Sequence, residues 1–418
     1  MAALPAVEAT LMARVLALTS RLPYPPTEGH QLRSWHLLKA LASRHDVTLM
    51  SFLRSDDAPA QAGPLRAILQ GLETFPIPSE HSRVALGQAL LKGTLTSAPF
   101  LAAKYASSQF RQRLSELAQD ADLVHADMLP LMAHADCIPH DVPLAMNAHN
   151  VEHRLLDIRA SMERRPLARA FLKRQRTRLH DFERDACRRA DALLACSDDD
   201  ARALRVLSPG VRLQVVPNGV DLTTNRPSST PPSRHRLVFV GQMGWFPNRD
   251  GVEWFLDAVF PRILEQRPDT EFVLVGKSDG LHVPARVAAN VRLAGFVPDL
   301  RPEVHDAAVY VVPLRAGSGT RLKVLEAMAL GKAIVTTTIG SEGICLRPDH
   351  EAVFADGAQA FADAVLALLA DPHRAGQLGA AARRCAEANF SWEGIGDTLL
   401  DFYADLIPLR AETAGAVA

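Results

Sequence analysis

The chain holds 418 residues, above the roughly 100–200 of a single domain, so its length predicts two. Its 48% apolar and 22% charged residues exclude a disordered chain, a fibre and a small disulfide scaffold. Forty-six basic against forty-seven acidic residues leave a net charge of −1, which gives no global attraction to nucleic acid.

Short runs rich in Val, Leu and Ile alternate with longer helical stretches. In the first half they predict strands near 14–19, 47–52, 123–125, 144–148, 192–196 and 213–217. In the second half the strands fall near 237–241, 271–276, 291–294, 309–313 and 333–337. Runs that are apolar throughout suit parallel strands covered on both faces, and alternation with helices gives βαβ units. The expected architecture is α/β, with two doubly wound domains. A Pro- and Ser-rich stretch, TTNRPSSTPPSRHR, separates them. The predicted division is 1–218, a linker at 219–236, a second domain at 237–390, and a last helix at 391–418 with a frayed tail. That helix carries Trp392, Leu399, Phe402 and Tyr403, and is expected to pack back on the first domain.

Several features along the chain bear on chemistry. Asp120–Asp122 precede a strand, the wrong end of a sheet for ligand binding, and read as a solvated loop. His149, Glu152 and His153 follow the strand at 144–148, at the carboxyl end where ligands of open α/β sheets bind. Glu152 and His153 serve equally as caps of the next helix. Residues 159–189 contain eleven Lys/Arg and four Asp/Glu, a net of +7. Leu167, Phe171, Leu172, Leu179 and Phe182 recur there at helical spacing, so the segment suits either anionic lipid or a core stripe with a solvated cationic face. Asp198–Asp200 follow Ser197 as first-turn acids after a cap. The five cysteines (Cys137, Cys187, Cys196, Cys345, Cys385) never form a C-x-x-C pair and read as free thiols in a reducing compartment. No window reaches the roughly 20 apolar residues of a membrane helix, and the N-terminus lacks a basic n-region. A cytoplasmic location, with peripheral contact to the inner membrane face, is the expectation.

The most informative run is PLRAGSGTRLKVLEAMALG, residues 313–331. A strand ends, a small-residue loop follows, and a helix is expected from about Thr320. The amides of Gly317, Ser318 and Gly319, with the helix N-terminus, form an anion seat that a diphosphate can approach closely. Arg321 and Lys323 stand in the first turn, where cations oppose the macrodipole. Neutralising a bound phosphate explains them better than helix stability does. Glu326, further along, is placed to accept hydrogen bonds from a ribose diol, as the acidic residue of dinucleotide folds does.

This run resembles the signature of the retaining glycosyltransferases of family 4, with the GT-B fold of two Rossmann-like domains facing each other across a cleft. Phe239–Gly251, with Gly241 and Gln242, resembles the first strand and loop of that family's donor domain. The stretches ending at Gly276 and containing Phe296 resemble the strands flanking the nucleotide base. Residues 216–221 resemble the interdomain hinge. Residues 20–29 resemble the acceptor-domain loop of exopolysaccharide-type sugar transferases, the subfamily tied to bacterial protein-sorting clusters, with Gly29 as its close-approach glycine. No G-x-G-x-x-G follows the first strand, which argues against a nicotinamide dehydrogenase.

The resemblance implies a metal-independent retaining hexosyltransferase without a cofactor. Its substrates would be a nucleotide-diphosphate sugar, most simply uridine-linked, and a polyprenyl-linked glycan acceptor in exopolysaccharide synthesis. His149 matches the histidine near the donor sugar, Glu326 the ribose ligand, and Thr320, Arg321 and Lys323 the phosphate side. The family's usual first Glu is Ser318 here, and its usual Arg and Lys after the first donor strand give way to Gln242 and Asn248. A GT-B epimerase or phosphorylase, or a catalytically degenerate sugar-nucleotide-binding subunit, remain alternatives.

Overall fold

The computed structural model describes residues 12–54, 57, 60, 62–82, 84, 87–88, 98–163, 165–317, 320–344 and 346–407. They divide into two compact units, Met1–Val216 with Gly396–Ala418, and Pro217–Ile395.

The first unit is built on β1 (Arg14–Thr19), β2 (Asp46–Leu53), β3 (Gly71–Pro76), β4 (Leu123–Asp127), β5 (Leu144–Ala148), β6 (Ala192–Ala195) and β7 (Arg212–Val215). Their order is β3-β2-β1-β4-β5-β6-β7, and every pairing is parallel. Residues of β4, β5 and β6 are buried without exception, because helices cover both faces. That is why these strands read as largely apolar runs. By contrast, β3 sits at the edge and buries only Phe75 of its six residues. Such a strand carries no apolar run, and the periodicity overlooks it.

The second unit repeats the plan with β8 (Ser233–Val240), β9 (Glu271–Val275), β10 (Val291–Gly295), β11 (Ala307–Val312), β12 (Ala333–Thr336) and β13 (Val353–Phe354). The order is β10-β9-β8-β11-β12-β13, again parallel throughout. Strand β8 begins at Ser233, inside the expected linker. Its polar start is held by ion pairs and not by burial: Arg236 Nε lies 2.7 Å from Glu271 Oε2, and its Nη1 pairs with Asp306. The parallel order places all carboxyl ends of each sheet on one edge. In both sheets the order in which strands are added reverses beside the first strand, between β1 and β4 and between β8 and β11.

The last helix, Trp392–Ala404, contributes to both units in turn. Ser391 bridges Val220 within the second unit. From Gly396 on, the helix belongs to the first unit, where buried Tyr403 places its hydroxyl 2.6 Å from Nδ1 of His125 on β4.

Two sequence expectations change. Asp122 is not a solvated loop residue; it is 7% exposed, and its Oδ2 accepts the Arg14 N–H at 2.8 Å, fixing the entry to β1. The apolar stripe of 159–189 is not continuous either: Leu179 is buried, but Leu167 and Phe171 face solvent. Ser197, as expected, caps the helix Asp198–Leu207, its Oγ accepting from the Asp200 N–H.

Candidate functional site

In the second unit, the site is assembled at the carboxyl edge beside the β8/β11 reversal. Strand β8 delivers Phe239 and, just past its end, Gly241 and Gln242. The helix Leu322–Ala329, which follows β11 and its loop, delivers Lys323 and Glu326. It begins two residues later than expected. Arg321 is its N-cap residue, with φ −84° and ψ 87°, outside the helical region.

Lys323 is the hub. Its Nζ donates to Asn248 Oδ1 at 2.6 Å and stands 4.1 Å from the Phe239 ring centroid. Asn248 in turn donates from Nδ2 to the Gln242 carbonyl at 2.9 Å, tying the loop after β8 to the lysine. Burial pushes the Lys323 ammonium down to about 7; nearby Arg321 adds to this, and Glu326 opposes it. Burial likewise pushes Glu326 up to about 7, against the attraction of Lys323. The two groups stand three residues apart on one helical face, both poised near neutrality. Sequence comparison of residue types alone treats Asn248 as a missing cation; the geometry makes it the partner that orients one.

Arg321 is 7% exposed, and its guanidinium reaches toward the Ile339 carbonyl and Glu342 Oε2, each at 3.4 Å. It runs under the loop: a Cβ on Gly317, whose φ is +130°, would stand 2.9 Å from both of its Nη atoms. The positive φ is what favours glycine there, and a side chain would also make the guanidinium shift. Gly276, at the end of β9, has φ +128°, and a Cβ on it would lie 2.3 Å from the Gly241 carbonyl oxygen. The loops after β8 and β9 therefore touch backbone to backbone. Gly241 also leaves room for Lys323, whose Nζ passes 2.8 Å from where a Cβ would stand. Phe296, just past β10, is 65% exposed, and Trp245, past β8, is 45% exposed. Thr320 is half-buried against Gly343; Ser318 and Gly319 lie outside the described residues.

The first unit carries a second polar cluster at the matching place, beside its β1/β4 reversal. Asp127 closes β4 and Asn147 lies in β5, with His149 just beyond it. His149 Nε2 is 2.6 Å from Asp127 Oδ1, which also accepts from Asn147 Nδ2 at 2.6 Å. Ser34 donates to Asp127 Oδ2, and Arg33 Nη2 donates to Asn147 Oδ1 at 2.8 Å. Both come from the helix Gly29–Ala42 that follows β1. Arg33 is 1% exposed, Asp127 2% and Asn147 0%. Burial opposes ionisation of Asp127, yet His149, His125 and Ser34 together hold its carboxyl well below the usual range. Neighbouring His30 is pushed down to about 4 by burial, with His149 adding to the effect. Gly29 opens this helix, and Glu28 caps it in a capping box with Gln31.

Sequence reasoning identified His149 but missed Arg33, Asp127 and Asn147. The available signal was a polar residue ending or interrupting an otherwise apolar strand: LVHAD and LAMNA. Glu152 and His153 have their own arrangement. Glu183, from the helix Pro166–Arg189, accepts the Glu152 N–H at 2.9 Å and the His153 Nδ1 at 2.6 Å. It caps the helix Glu152–Met162 from outside, so these two residues support the fold and do not join the His149 cluster. Among the described residues, no group of three or more His, Cys, Asp or Glu is arranged to hold a metal ion, and no helix is long and apolar enough to cross a membrane.

Comparison with known proteins places these observations in a family context. Residues 28–224 match the family model described as Glycosyltransferase Family 4, and residues 234–371 match that described as Glycosyl transferases group 1. The chain is 28% identical over 245 residues to a D-inositol 3-phosphate glycosyltransferase of Rhodococcus erythropolis, covering 53% of this chain and 55% of the relative. It is 28% identical over 254 residues to the lipopolysaccharide core biosynthesis mannosyltransferase LpcC of Rhizobium leguminosarum, covering 56% and 69%. The chain thus spans little more than half the length of the first of these relatives. Among solved structures, it is similar to a sucrose-phosphate synthase from Thermosynechococcus elongatus, with a TM-score of 0.65, 19% identity and coverage of 94% and 99%. Anabaena Alr3699/HepE in complex with UDP and glucose matches with a TM-score of 0.65, 13% identity and coverage of 94% and 99%. The chain has the fold of the GT-B glycosyltransferases, and its two units carry, in order, the family 4 and group 1 glycosyltransferase matches.

Proposed function

We propose that the chain transfers a hexosyl unit from a nucleotide-diphosphate sugar to a lipid-linked or glycan acceptor, with retention at the anomeric carbon. The observation that carries this reading is the Lys323 cluster. A cation is held by Asn248 over an aromatic face, beside a glycine loop and a second buried cation, at the carboxyl edge of a parallel sheet. That arrangement suits a diphosphate, with Arg321 and Lys323 as its counter-charges. Glu326 receives the ribose hydroxyls, and Gly241, Gly276 and Phe296 line the approach to the base. Uridine is the base in this proposal, following the UDP held by the Anabaena neighbour.

Bond breaking places positive charge on the anomeric carbon and negative charge on the leaving diphosphate. Lys323 and Arg321 stabilise the negative charge as it grows, which lowers the barrier more than it tightens ground-state binding. His149, held by Asp127, presents a fixed ring to a substrate hydroxyl in the first unit. No metal ion or cofactor takes part in this reading, and the acceptor belongs to exopolysaccharide assembly.

The test is to supply candidate sugar nucleotides with and without lipid-linked glycans, and to follow nucleotide diphosphate release and the mass of the glycan. Release that depends on acceptor, with a mass gain of one hexose, supports transfer. Conversion of donor without acceptor would indicate an epimerase or hydrolase. Donor binding without turnover across all acceptors would indicate a degenerate subunit.

A further inference from the structure

The helices Glu152–Met162 and Pro166–Arg189 pack against each other as a hairpin in the first unit. The second helix has two distinct faces, separable by the 100° turn per residue of an α-helix. Leu172, Gln175, Leu179, Glu183 and Ala186 follow one face, and all but half-buried Leu172 are buried. Leu167 and Phe171 lie one turn apart on the adjoining face, and Arg174 and Arg178 continue that same line. Leu167 is 87% exposed, Phe171 41%, and Met162, at the end of the first helix, 38%. The sequence around them is Arg- and Lys-rich: residues 159–178 hold eight Lys/Arg and one acidic residue, Glu163.

Ordinary solvated helices place polar residues where Leu167 and Phe171 stand, and ordinary core stripes bury such residues. This tip does neither. Large exposed apolar side chains at a hairpin end, on a helix whose neighbouring positions carry long cationic side chains, match the interfacial zone of a negatively charged bilayer. The apolar groups enter the acyl boundary while the cations meet headgroup phosphates. An acidic protein or a polyanion would satisfy the arginines but not the exposed Leu and Phe.

We propose that the hairpin tip around Met162, Leu167 and Phe171 docks the chain onto anionic phospholipid, by shallow insertion of these side chains. This goes beyond sugar transfer and does not rest on it, since it needs neither donor nor acceptor. Its test therefore fails or succeeds independently of the reading above.

The experiment is flotation of the full chain with vesicles of phosphatidylcholine alone and of phosphatidylcholine mixed with phosphatidylglycerol. Binding is expected to the mixed vesicles only, and is expected to fall as salt rises. The double variant Leu167→Ser/Phe171→Ser should lose at least roughly tenfold in partition. Both positions are exposed, so its circular dichroism and thermal midpoint should stay unchanged. Lys173→Glu with Arg174→Glu should abolish binding. Phe171→Trp should shift its emission to the blue on mixed vesicles and be quenched by brominated lipid. Equal partition of the double serine variant, binding to neutral vesicles alone, or binding to heparin but not to vesicles would each overturn the proposal; the last outcome would point to an acidic macromolecule instead.

Discussion

His149 Nε2 and Asp127 Oδ1 lie 2.6 Å apart at the carboxyl edge of the first sheet, with the carboxylate buried on every side. The partnership fixes the imidazole twice over. It sets which nitrogen faces the carboxylate, and it locks the ring plane through the additional bonds from Asn147 and Ser34. A histidine so held presents its other nitrogen in one direction, at no entropic cost when substrate arrives.

Asp127→Asn should therefore leave donor affinity within a few-fold while lowering the transfer rate by roughly 10- to 100-fold, because the ring loses both its charge partner and its tautomer preference. Steady-state kinetics with the donor varied, beside calorimetric donor binding, separates the two effects. An unchanged kcat would reduce the pair to a structural tie. Arg33→Met is expected to act differently. It leaves the buried Asn147 side-chain oxygen without its Arg33 donor and should cost about 1–3 kcal/mol of stability, read by urea unfolding of the whole chain.

Lys323→Ala removes the ammonium that Asn248 holds above the Phe239 ring. If the leaving diphosphate sits there, the barrier should rise by about 2–4 kcal/mol, comparable to losing one oxyanion donor. The loss should appear in single-turnover transfer at saturating donor, not only in KM. Arg321→Ala should cost a similar or smaller amount, and the double variant less than the sum, since both act on one group. Normal single-turnover rates for Lys323→Ala would put the diphosphate elsewhere.

The pH dependence of donor binding follows from two groups poised at about 7. Above this value Lys323 is neutral in the empty site, so a diphosphate must draw a proton back onto it, and affinity falls as pH rises. Below it Glu326 is protonated and accepts less well from two ribose hydroxyls, so affinity falls as pH drops. A bell centred near neutrality is expected, with proton uptake on binding at the alkaline limb. Titration calorimetry in buffers of different ionisation enthalpy measures that uptake. Lys323→Arg should erase the alkaline limb, because a guanidinium does not deprotonate there. Glu326→Gln should erase the acid limb and lower affinity at least roughly tenfold, charge-assisted bonds being worth about 1.5–3 kcal/mol each. Flat affinity across the neutral range would remove both residues from the site.

Gly276→Ala places a methyl group 2.3 Å from the Gly241 carbonyl at a positive φ. The loops after β8 and β9 must separate, at a cost of about 1–3 kcal/mol from backbone strain alone and more from the clash. Thermal unfolding should show the loss, and donor affinity should fall because Gly241 carries the loop toward Lys323. Gly244→Ala is the control: nothing stands within 4 Å of its added methyl. Equal behaviour of the two variants would mean that the contact between the loops is unimportant.

Most of the fold was legible because both sheets are parallel and covered on both faces, so that strands such as ALLA (192–195) and FVLV (272–275) stand out as apolar runs. What escaped were elements whose order comes from edges or ion pairs: β3, with one buried residue, and the polar start of β8, anchored by Arg236. The donor side of the site was equally legible, since glycines and cations crowd into one loop and helix. Asn248 was not, for a side-chain amide that orients a lysine across seventy-five residues leaves no local pattern. The Asp127 cluster was half legible. His149 follows a strand end, but its three partners come from another strand, the same strand and a distant helix, and only the sheet order brings them together.

The final helix has a consequence for how the protein is made. Residues 1–216 lack the segment that supplies Tyr403 to His125 until the ribosome has passed 217–395 and begun the end of the chain. The second unit is contiguous, whereas the first, translated earlier, receives its closing helix last, although its apolar core draws only on residues 16–207. The Tyr403–His125 contact is thus the last of the first unit to form. A premature stop before residue 396 would leave both apolar cores encoded and the first unit without this contact.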